Sequence, residues 1–272
     1  MNSPKKQELA LAIRASVQAG AAILRYYGSE VAVESKADSS PLTAADLAAH
    51  EVILETLQGG SSLPVLSEES KEVPFSERSA WERFWLVDPL DGTKEFINQN
   101  GEFTVNIALV EAGRPVLGVV YVPALSRLYF GGEDIGAFLQ EVAPENVGSI
   151  ETELDNRILL STKLSGAPAN DSNYTIIGSR SHGSPEYESF VSELRTRHPN
   201  AQTISAGSSL KFCRVVEGAA NIYPRLGRTM EWDTAAGHAL VNAVGKKVCV
   251  FESDEELSYN KDDLGNPWFV VQ

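Results

Sequence analysis

Residues 84–96 read FWLVDPLDGTKEF. An apolar run through Val87 gives way to Asp88, Pro89, Asp91 and Gly92, so a strand ends by handing two aspartates to a turn. That is how a sheet presents carboxylates at its edge. A carboxylate held against apolar neighbours is unfavourable unless it is protonated, paired or bound to a metal. Fold and function therefore both turn on what surrounds this strand end.

Upstream, Leu9, Ile13, Val17, Ala21 and Leu24 recur at helical spacing, and Gly28 is placed to end that helix. VAVESKAD (31–38) reads as a short strand. SPLTAADLAAHEVILETLQGG (40–60) reads as a second helix, with Thr43 as N-cap, Asp46 in the first turn and Gly59 at the stop. LPVLSEES (63–70) is an apolar run breaking into acids, and WERFWLVD (81–88) is a strand. FTVNIALVEAGRPVLGVVYVP (103–123) predicts a hairpin turning at Gly113, with SRLYFGG (126–132) and GAFLQ (136–140) as further strands. The first half is thus two helices against a largely antiparallel sheet.

APENVGSIETELDN (143–156) is polar and acidic and marks the expected boundary between residues 1–150 and 151–272. Beyond it RILLST (157–162), YTIIGS (174–179), AQTISAGS (201–208) and ANIYPR (220–225) read as short strands. They interleave with helical patterns at 185–197 and 208–218, so the second half reads as α/β after an α+β first half.

The chain has 272 residues, 43% of them hydrophobic and 22% charged, as in ordinary soluble globular proteins. Its net charge of −14 argues against a nucleic-acid surface, which needs clustered Lys and Arg. An acidic protein still takes a small phosphorylated ligand if metal ions offset the carboxylates. Cys213 and Cys249 each lie in an apolar segment, so free buried thiols in a reducing compartment are expected. The N-terminal stretch is interrupted by Glu8, Arg14 and Gln18, so it reads as neither signal peptide nor membrane span. These features predict a cytoplasmic protein with no integral membrane segment; peripheral association at the inner membrane is compatible with them.

Glu68, Glu69, Asp88, Asp91 and Asp233 all lie at the ends of apolar runs or beside buried-looking residues. The chain lacks enough suitably placed Lys or Arg to pair them. Oxygen donors clustered without His or Cys favour a hard cation, Mg²⁺ before transition metals. Taken singly, each acid is also explained as a turn or cap: Asp-Gly is a common turn, and Asp233 could cap a helix beginning at Thr234. No His-rich zinc spacing, G-x-S-x-G elbow or P-loop lysine motif is present. His50 and His238 are read as carrying no chemistry, His238 in a buried helix meeting a backbone group.

VLSEES (65–70), WLVDPLDGTKEF (85–96) and EWDTAAGH (231–238), in that order and at these separations, closely resemble the inositol monophosphatase superfamily. The resemblance runs from about Leu9 to the C-terminal strand. SKADSSPLTAAD (35–46), NGEFTVNIALV (100–110), GSRSH (178–182), GSSLKFCRVVEG (207–218), YPRLG (223–227) and WDTAAGHA (232–239) are similar to the bacterial 3'(2'),5'-bisphosphate nucleotidase branch. That branch removes the 3'-phosphate of 3'-phosphoadenosine 5'-phosphate, a by-product of sulfate assimilation, leaving AMP.

The resemblance implies an α-β-α-β-α sandwich, homodimers in many relatives, and Mg²⁺-dependent, Li⁺-inhibited hydrolysis. It assigns Glu68, Asp88 and the Leu90 carbonyl to one Mg²⁺, and Asp88, Asp91 and Asp233 to a second. Glu68 and Glu69 would hold a third ion through waters. Thr93 and Asp46 match the pair that orients and deprotonates the attacking water, though Asp46 equally suits a first-turn helix position. Gly92 and Thr93 would cradle the scissile phosphate. Ser208, Ser209 and Lys211 would meet a second phosphate, a Ser cap with a solvated Lys being the plainer meaning. His182 and Arg225, with Arg228 behind, are candidates for base and 5'-phosphate contacts, and Tyr223 for stacking on adenine or for the core.

An inositol or sugar phosphatase shares every metal ligand with this reading; GSSLK and YPR, which offer donors to a second phosphate, weigh against it. A noncatalytic nucleotide-binding or lithium-sensing protein would lack a ligand or the water activator, and neither is missing. A structural calcium domain would place its acids close together, whereas these run from Glu68 to Asp233.

Overall fold

The apolar runs within residues 84–122 are realised as a sheet buried on both faces. The computed structural model describes residues 4–28, 33–35, 41–145, 154–167, 174–180 and 184–272. Helix α1 (Pro4–Leu24) precedes β1 (Val33–Ser35), β2 (Pro41–Thr43), α2 (Ala44–Gly60) and β3 (Val65–Ser67). The one-turn α3 (Phe75–Arg78) leads to β4 (Arg83–Asp91), α4 (Thr93–Ile97), β5 (Thr104–Glu111), β6 (Arg114–Val122), β7 (Arg127–Gly132) and β8 (Gly136–Glu141). Then come α5 (Leu154–Leu159), β9 (Thr162–Leu164), β10 (Thr175–Ser179), α6 (Pro185–Arg197) and β11 (Gln202–Ala206). Helix α7 (Leu210–Val216), β12 (Tyr223–Arg225), α8 (Glu231–Ala243), β13 (Val248–Val250) and β14 (Phe269–Val271) complete the chain.

The first sheet has seven strands in the order β3-β4-β5-β6-β7-β8-β9. β3 runs parallel to β4, and the other pairs are antiparallel. Strand parity sorts its side chains between two cores. Trp85, Val87, Val105, Ile107 and Leu109 meet Ile13 of α1 and Ile53 and Leu57 of α2. Phe84, Leu86, Ala108 and Val110 meet Phe212 and Cys213 of α7 and Ala235 and Leu240 of α8. A strand buried on both sides must be apolar throughout, which is why β4 reads as an unbroken run. Each large side chain buried here contributes about 1.5–3 kcal/mol relative to exposure. The hairpin turns at Ala112 and Gly113, both at positive φ (48° and 75°), the mirror-image turn that matches strand twist. Gly118 lets β6 approach α8: a Cβ there would run into the Ala236 carbonyl.

The second sheet is assembled from a parallel pair, β10-β11, and an antiparallel trio, β12-β14-β13. The Ile177 N–H donates to Ile222 O at 2.9 Å and joins the two groups. Helix α6 covers the outer face with Val191 and Leu194 on Ile176, Ile222 and Val270. The order α1/α2, first sheet, α7/α8, second sheet, α6 is the α-β-α-β-α sandwich expected.

One element differs from the sequence reading. RILLST was expected as a strand, yet Arg157 to Leu159 end helix α5. Leu154, Arg157 and Ile158 line the inward side at helical spacing, with Arg157 Nη1 donating to Gln140 Oε1 at 2.8 Å. Leu159 and Leu160 are 82% and 73% exposed, so the apolarity that suggested a strand is not burial at all. Most of the expected boundary lies in 146–153, outside the described residues, and β9 beyond it pairs with β8 in the first sheet. Cys213 and Cys249 are free and buried. Among the described residues, no helix is long and apolar enough to cross a membrane.

Candidate active site

Strand β4 carries Asp88 and Asp91 to its end, where pairing with β5 shifts register between them. Asp88 is 1% exposed, and its Oδ1 accepts the Leu90 N–H at 3.1 Å. Burial first, then the carboxylates of Glu68, Asp91, Asp233 and Asp46, push Asp88 well above the ordinary carboxylate range. Those acids come from four separate elements or turns. Asp46 sits buried in the first turn of α2, Glu68 and Glu69 follow β3, and Asp233 lies in the first turn of α8.

Asp91 is fixed by the second half of the chain. Its Oδ2 accepts the Ser209 N–H at 2.6 Å and lies 2.9 Å from Ser209 Oγ. Thr104 Oγ1 and Asn106 Nδ2 of β5 lie 3.4 and 3.5 Å from the same oxygen. Ser209 Oγ also lies 2.6 Å from the Asp233 carbonyl oxygen, and its single proton serves one acceptor at a time. Asp233 does not cap a helix at Thr234. The helix already begins at Glu231, and Asp233 Oδ2 reaches back to accept the Met230 N–H at 2.9 Å. Burial, and next the Asp91 charge, push Asp233 up to about 8.

These acids fit a hard divalent cation by their chemistry: oxygen donors, mutual repulsion, burial, and no cation paired with Asp88 or Asp233 by any salt bridge among the described residues. Among the described residues no three such side chains already close on one point. Asp91 and Asp233 are instead engaged by Ser209 and Met230, as carboxylates that repel one another would be.

Gly92 (φ 91°, ψ 47°) caps α4, and the Phe96 N–H donating to Gly92 O is the first bond of that helix. The amides of Thr93, Lys94 and Glu95 therefore precede the helical ladder. Opposite this turn, Ser208 at φ 46° donates its hydroxyl to the Asp91 carbonyl at 2.8 Å. Ser209 is the N-cap of α7 by position, but its side chain serves Asp91 and Asp233 rather than the helix.

Lys211 is not the solvated residue its string would allow. It is 5% exposed, with Nζ donating to Ser208 O at 2.5 Å and Ala206 O at 3.4 Å, and burial pulls its pKa down to about 8. Arg225 donates Nη2 to Arg228 O at 3.0 Å, while its Nε is buried without a hydrogen-bond partner among the described residues. Arg228 is exposed and contributes here through its backbone carbonyl. A cavity of about 220 Å³ joins Asp91, Gly92 and Thr93 to Ser208, Ser209, Lys211, Arg225 and Asp233. Tyr223 borders it but belongs to the core: it is 2% exposed, with Lys211 Nζ 5.6 Å over its face and Phe212 and Phe269 edge-on. His182 lies outside the described residues.

His50 rides on α2 with Nδ1 3.0 Å from Ser67 Oγ, its pKa lowered by burial. His238 meets the Tyr259 hydroxyl (3.0 Å), not a backbone group. Sequence reasoning missed Thr104 and Asn106. Two polar residues at alternate positions of an otherwise apolar strand were the available signal. A larger groove of about 930 Å³ along α6 and β13 holds none of these groups.

A family model for the inositol monophosphatase family matches residues 5–267. A 3'(2'),5'-bisphosphate nucleotidase CysQ from Shigella flexneri is 44% identical over 257 residues, 93% of this chain and 94% of that protein. The crystal structure of CysQ from Bacteroides thetaiotaomicron superposes with TM-score 0.90 at 45% identity, covering 100% of this chain and 98% of that one. An IMPase from Thermotoga maritima matches at TM-score 0.71 and 21% identity, over 97% of this chain and 91% of its own, a likeness of fold alone.

Proposed function

The chain belongs to the inositol monophosphatase family, and from that premise we propose that it is a 3'(2'),5'-bisphosphate nucleotidase, hydrolysing 3'-phosphoadenosine 5'-phosphate to AMP and phosphate. One observation carries the reading: a single cavity is lined both by the acidic turn, Asp91 to Thr93, and by the cations Lys211 and Arg225. A monophosphate needs one anion site; a bisphosphate needs two. The buried, unpartnered Arg225 Nε is a donor suited to the second phosphate.

Mg²⁺ use is general in the family. On this reading Glu68, Asp88 and the Leu90 carbonyl hold one ion, Asp88, Asp91 and Asp233 a second, and Glu68 with Glu69 a third through waters. Bound Mg²⁺ supplies charge neutralisation at the phosphoryl oxygens and a more acidic water. The amides after Gly92 orient the 3'-phosphate, and Thr93 directs the attacking water while Asp46 accepts its proton. The new P–O bond forms as the P–O3' bond breaks, and the ribose oxygen takes up a proton. Residues 1–150 supply most ligands; residues 151–272 supply Asp233 and the nucleotide loops, His182 among them. The same reading has Li⁺ compete for an ion site and the protein act in the cytoplasm, as a monomer or a homodimer.

The test is phosphate release from 3'-phosphoadenosine 5'-phosphate and inositol 1-phosphate side by side, with Mg²⁺, with EDTA and with Li⁺. A Mg²⁺-dependent, Li⁺-inhibited preference for the nucleotide is expected; preference for inositol 1-phosphate overturns the substrate while keeping the metal site. Lys211→Met should raise KM for the nucleotide about tenfold, the worth of one hydrogen bond to a charged group. Because burial lowers the Lys211 pKa to about 8, its charge is present below that pH and lost above it. Wild-type KM should therefore rise as pH passes upward through about 8, and the Met variant should lose that dependence. An unchanged KM–pH profile in the variant would remove Lys211 from substrate binding.

A further inference from the structure

Helix α8 carries Glu231, Thr234 and His238 on one face, all buried. Their spacing aligns them along the axis. A buried row of carboxylate, hydroxyl and imidazole is unfavourable unless each is bonded. All are bonded by one segment, residues 256–266.

Glu231, 0% exposed, accepts the Asn260 N–H at 2.6 Å, the Lys261 N–H at 3.0 Å and Lys261 Nζ at 2.6 Å. The Tyr259 hydroxyl sits between Thr234 Oγ1 (3.2 Å) and His238 Nδ1 (3.0 Å). Glu256 Oε2 lies 3.4 Å from His238 Nε2, near it but not hydrogen-bonded, so the imidazole is held through Nδ1. Asn266 Nδ2 lies 2.8 Å from Met230 O and 3.1 Å from Thr234 Oγ1. The Glu231 N–H, an amide the helix itself leaves open, donates to Leu264 O at 2.9 Å.

The segment is gripped from its other side by Arg78, itself only 3% exposed. Arg78 Nη1 donates to Asn260 Oδ1 at 3.0 Å and to Lys261 O, and Nη2 to Asp262 O at 2.7 Å. Asn260 Nδ2 returns a bond to Arg78 O at 2.7 Å. Arg78 ends α3, which follows the Glu68–Glu69 turn. These bonds concentrate on the first turns of α8, where Asp233 lies, rather than along its length.

We propose that residues 256–266 are a clasp that sets the first turn of α8, making Glu231, Tyr259 and Arg78 positioning residues for Asp233 and hence for divalent-cation affinity. The proposal rests on the reading of Asp233 as a metal ligand. Glu231 touches neither substrate nor ion; it acts by fixing the turn that presents Asp233. A carboxylate oriented by bonds around its backbone loses less freedom on binding a cation, and outer contacts of this kind change metal affinity by about 10- to 100-fold.

The test is calorimetric titration of the full chain with Mg²⁺, alongside the Mg²⁺ dependence of phosphate release. Glu231→Ala is expected to weaken Mg²⁺ binding by about 10-fold or more and to shift the half-saturating concentration equally, with kcat at saturating Mg²⁺ within about twofold of wild type. Glu231→Gln should recover part of the affinity, because its amide oxygen still accepts the Asn260 N–H although its NH2 then faces the Lys261 donors. Should Glu231→Ala not fold, Lys261→Met, which removes the ammonium shared by Glu231 and the Ser258 carbonyl but keeps the Lys261 N–H on Glu231, should move affinity in the same direction. Tyr129→Phe, in a buried network with Glu217 away from α8's first turn, should lower Tm without changing Mg²⁺ affinity. Variants that melt lower yet bind Mg²⁺ like wild type overturn the clasp and leave the metal site standing. A wild-type chain that binds no Mg²⁺ overturns the reading of the site itself.

Discussion

Asp88→Asn is expected to lower phosphate release by on the order of 10³-fold or more while raising the melting temperature of the metal-free protein. The two effects share one cause. Asp88 is buried among the carboxylates of Glu68, Asp91, Asp233 and Asp46, so its negative charge opposes folding when no cation is bound and is needed when one is. Asparagine keeps the shape and can still accept the Leu90 N–H on Oδ1, the hydrogen bond that holds the turn. Removing like-charge repulsion without removing that bond should stabilise the fold in EDTA by a few degrees. Added Mg²⁺ should then raise the Tm of wild type more than that of the variant. Scanning calorimetry with and without Mg²⁺, paired with a phosphate assay, reads both. A variant at wild-type rate in saturating Mg²⁺ removes Asp88 from the site, and one that melts lower makes its role structural.

The opposite signs explain why the acidic motifs were readable without coordinates. A carboxylate at the end of an apolar run contradicts its local surroundings, and such contradictions mark functional sites. The strands around it were readable for a related reason: burial on both faces leaves β4, β5 and β6 almost no polar positions. Thr104 and Asn106 break that rule, and they break it beside Asp91. RILLST shows the limit. Its apolar residues are split between the core side and solvent, so composition resembled a strand while spacing from Leu154 was helical.

What the sequence could not yield is long-range pairing. Ser209 holds Asp91 across 118 positions, Asn260 meets Arg78 across 182, and Tyr259 reaches His238 across 21. Each residue taken alone has a bland reading as a cap, a turn or a solvated side chain. Lys211 is the clearest case. Its place in a first helical turn allowed either a solvated cation or a phosphate contact, and neither reading showed that the loop folds back so that its ammonium holds the carbonyls of Ala206 and Ser208. The same lysine thus shapes the turn that faces Gly92.

That facing turn makes Gly92→Ala the second large effect, with kcat expected to fall by about 10²-fold, the usual consequence of a misplacement near 1 Å. Two penalties combine. At φ 91° an alanine meets left-handed backbone strain of about 1–2 kcal/mol. Its Cβ would also overlap Ser208 Oγ. Ser208 cannot simply withdraw, because its hydroxyl donates to the Asp91 carbonyl and its neighbour's amide holds the Asp91 carboxylate. Moving Ser208 therefore moves Asp91. Ser208 also sits at φ 46°, where glycine is at ease, so Ser208→Gly should fold well and open the space. The double variant Gly92→Ala/Ser208→Gly should then regain part of the lost kcat, a non-additive pair expected of residues in contact. A double variant no better than Gly92→Ala would assign the loss to backbone strain at residue 92 alone. Full activity in Gly92→Ala would mean that this turn does not set the phosphate.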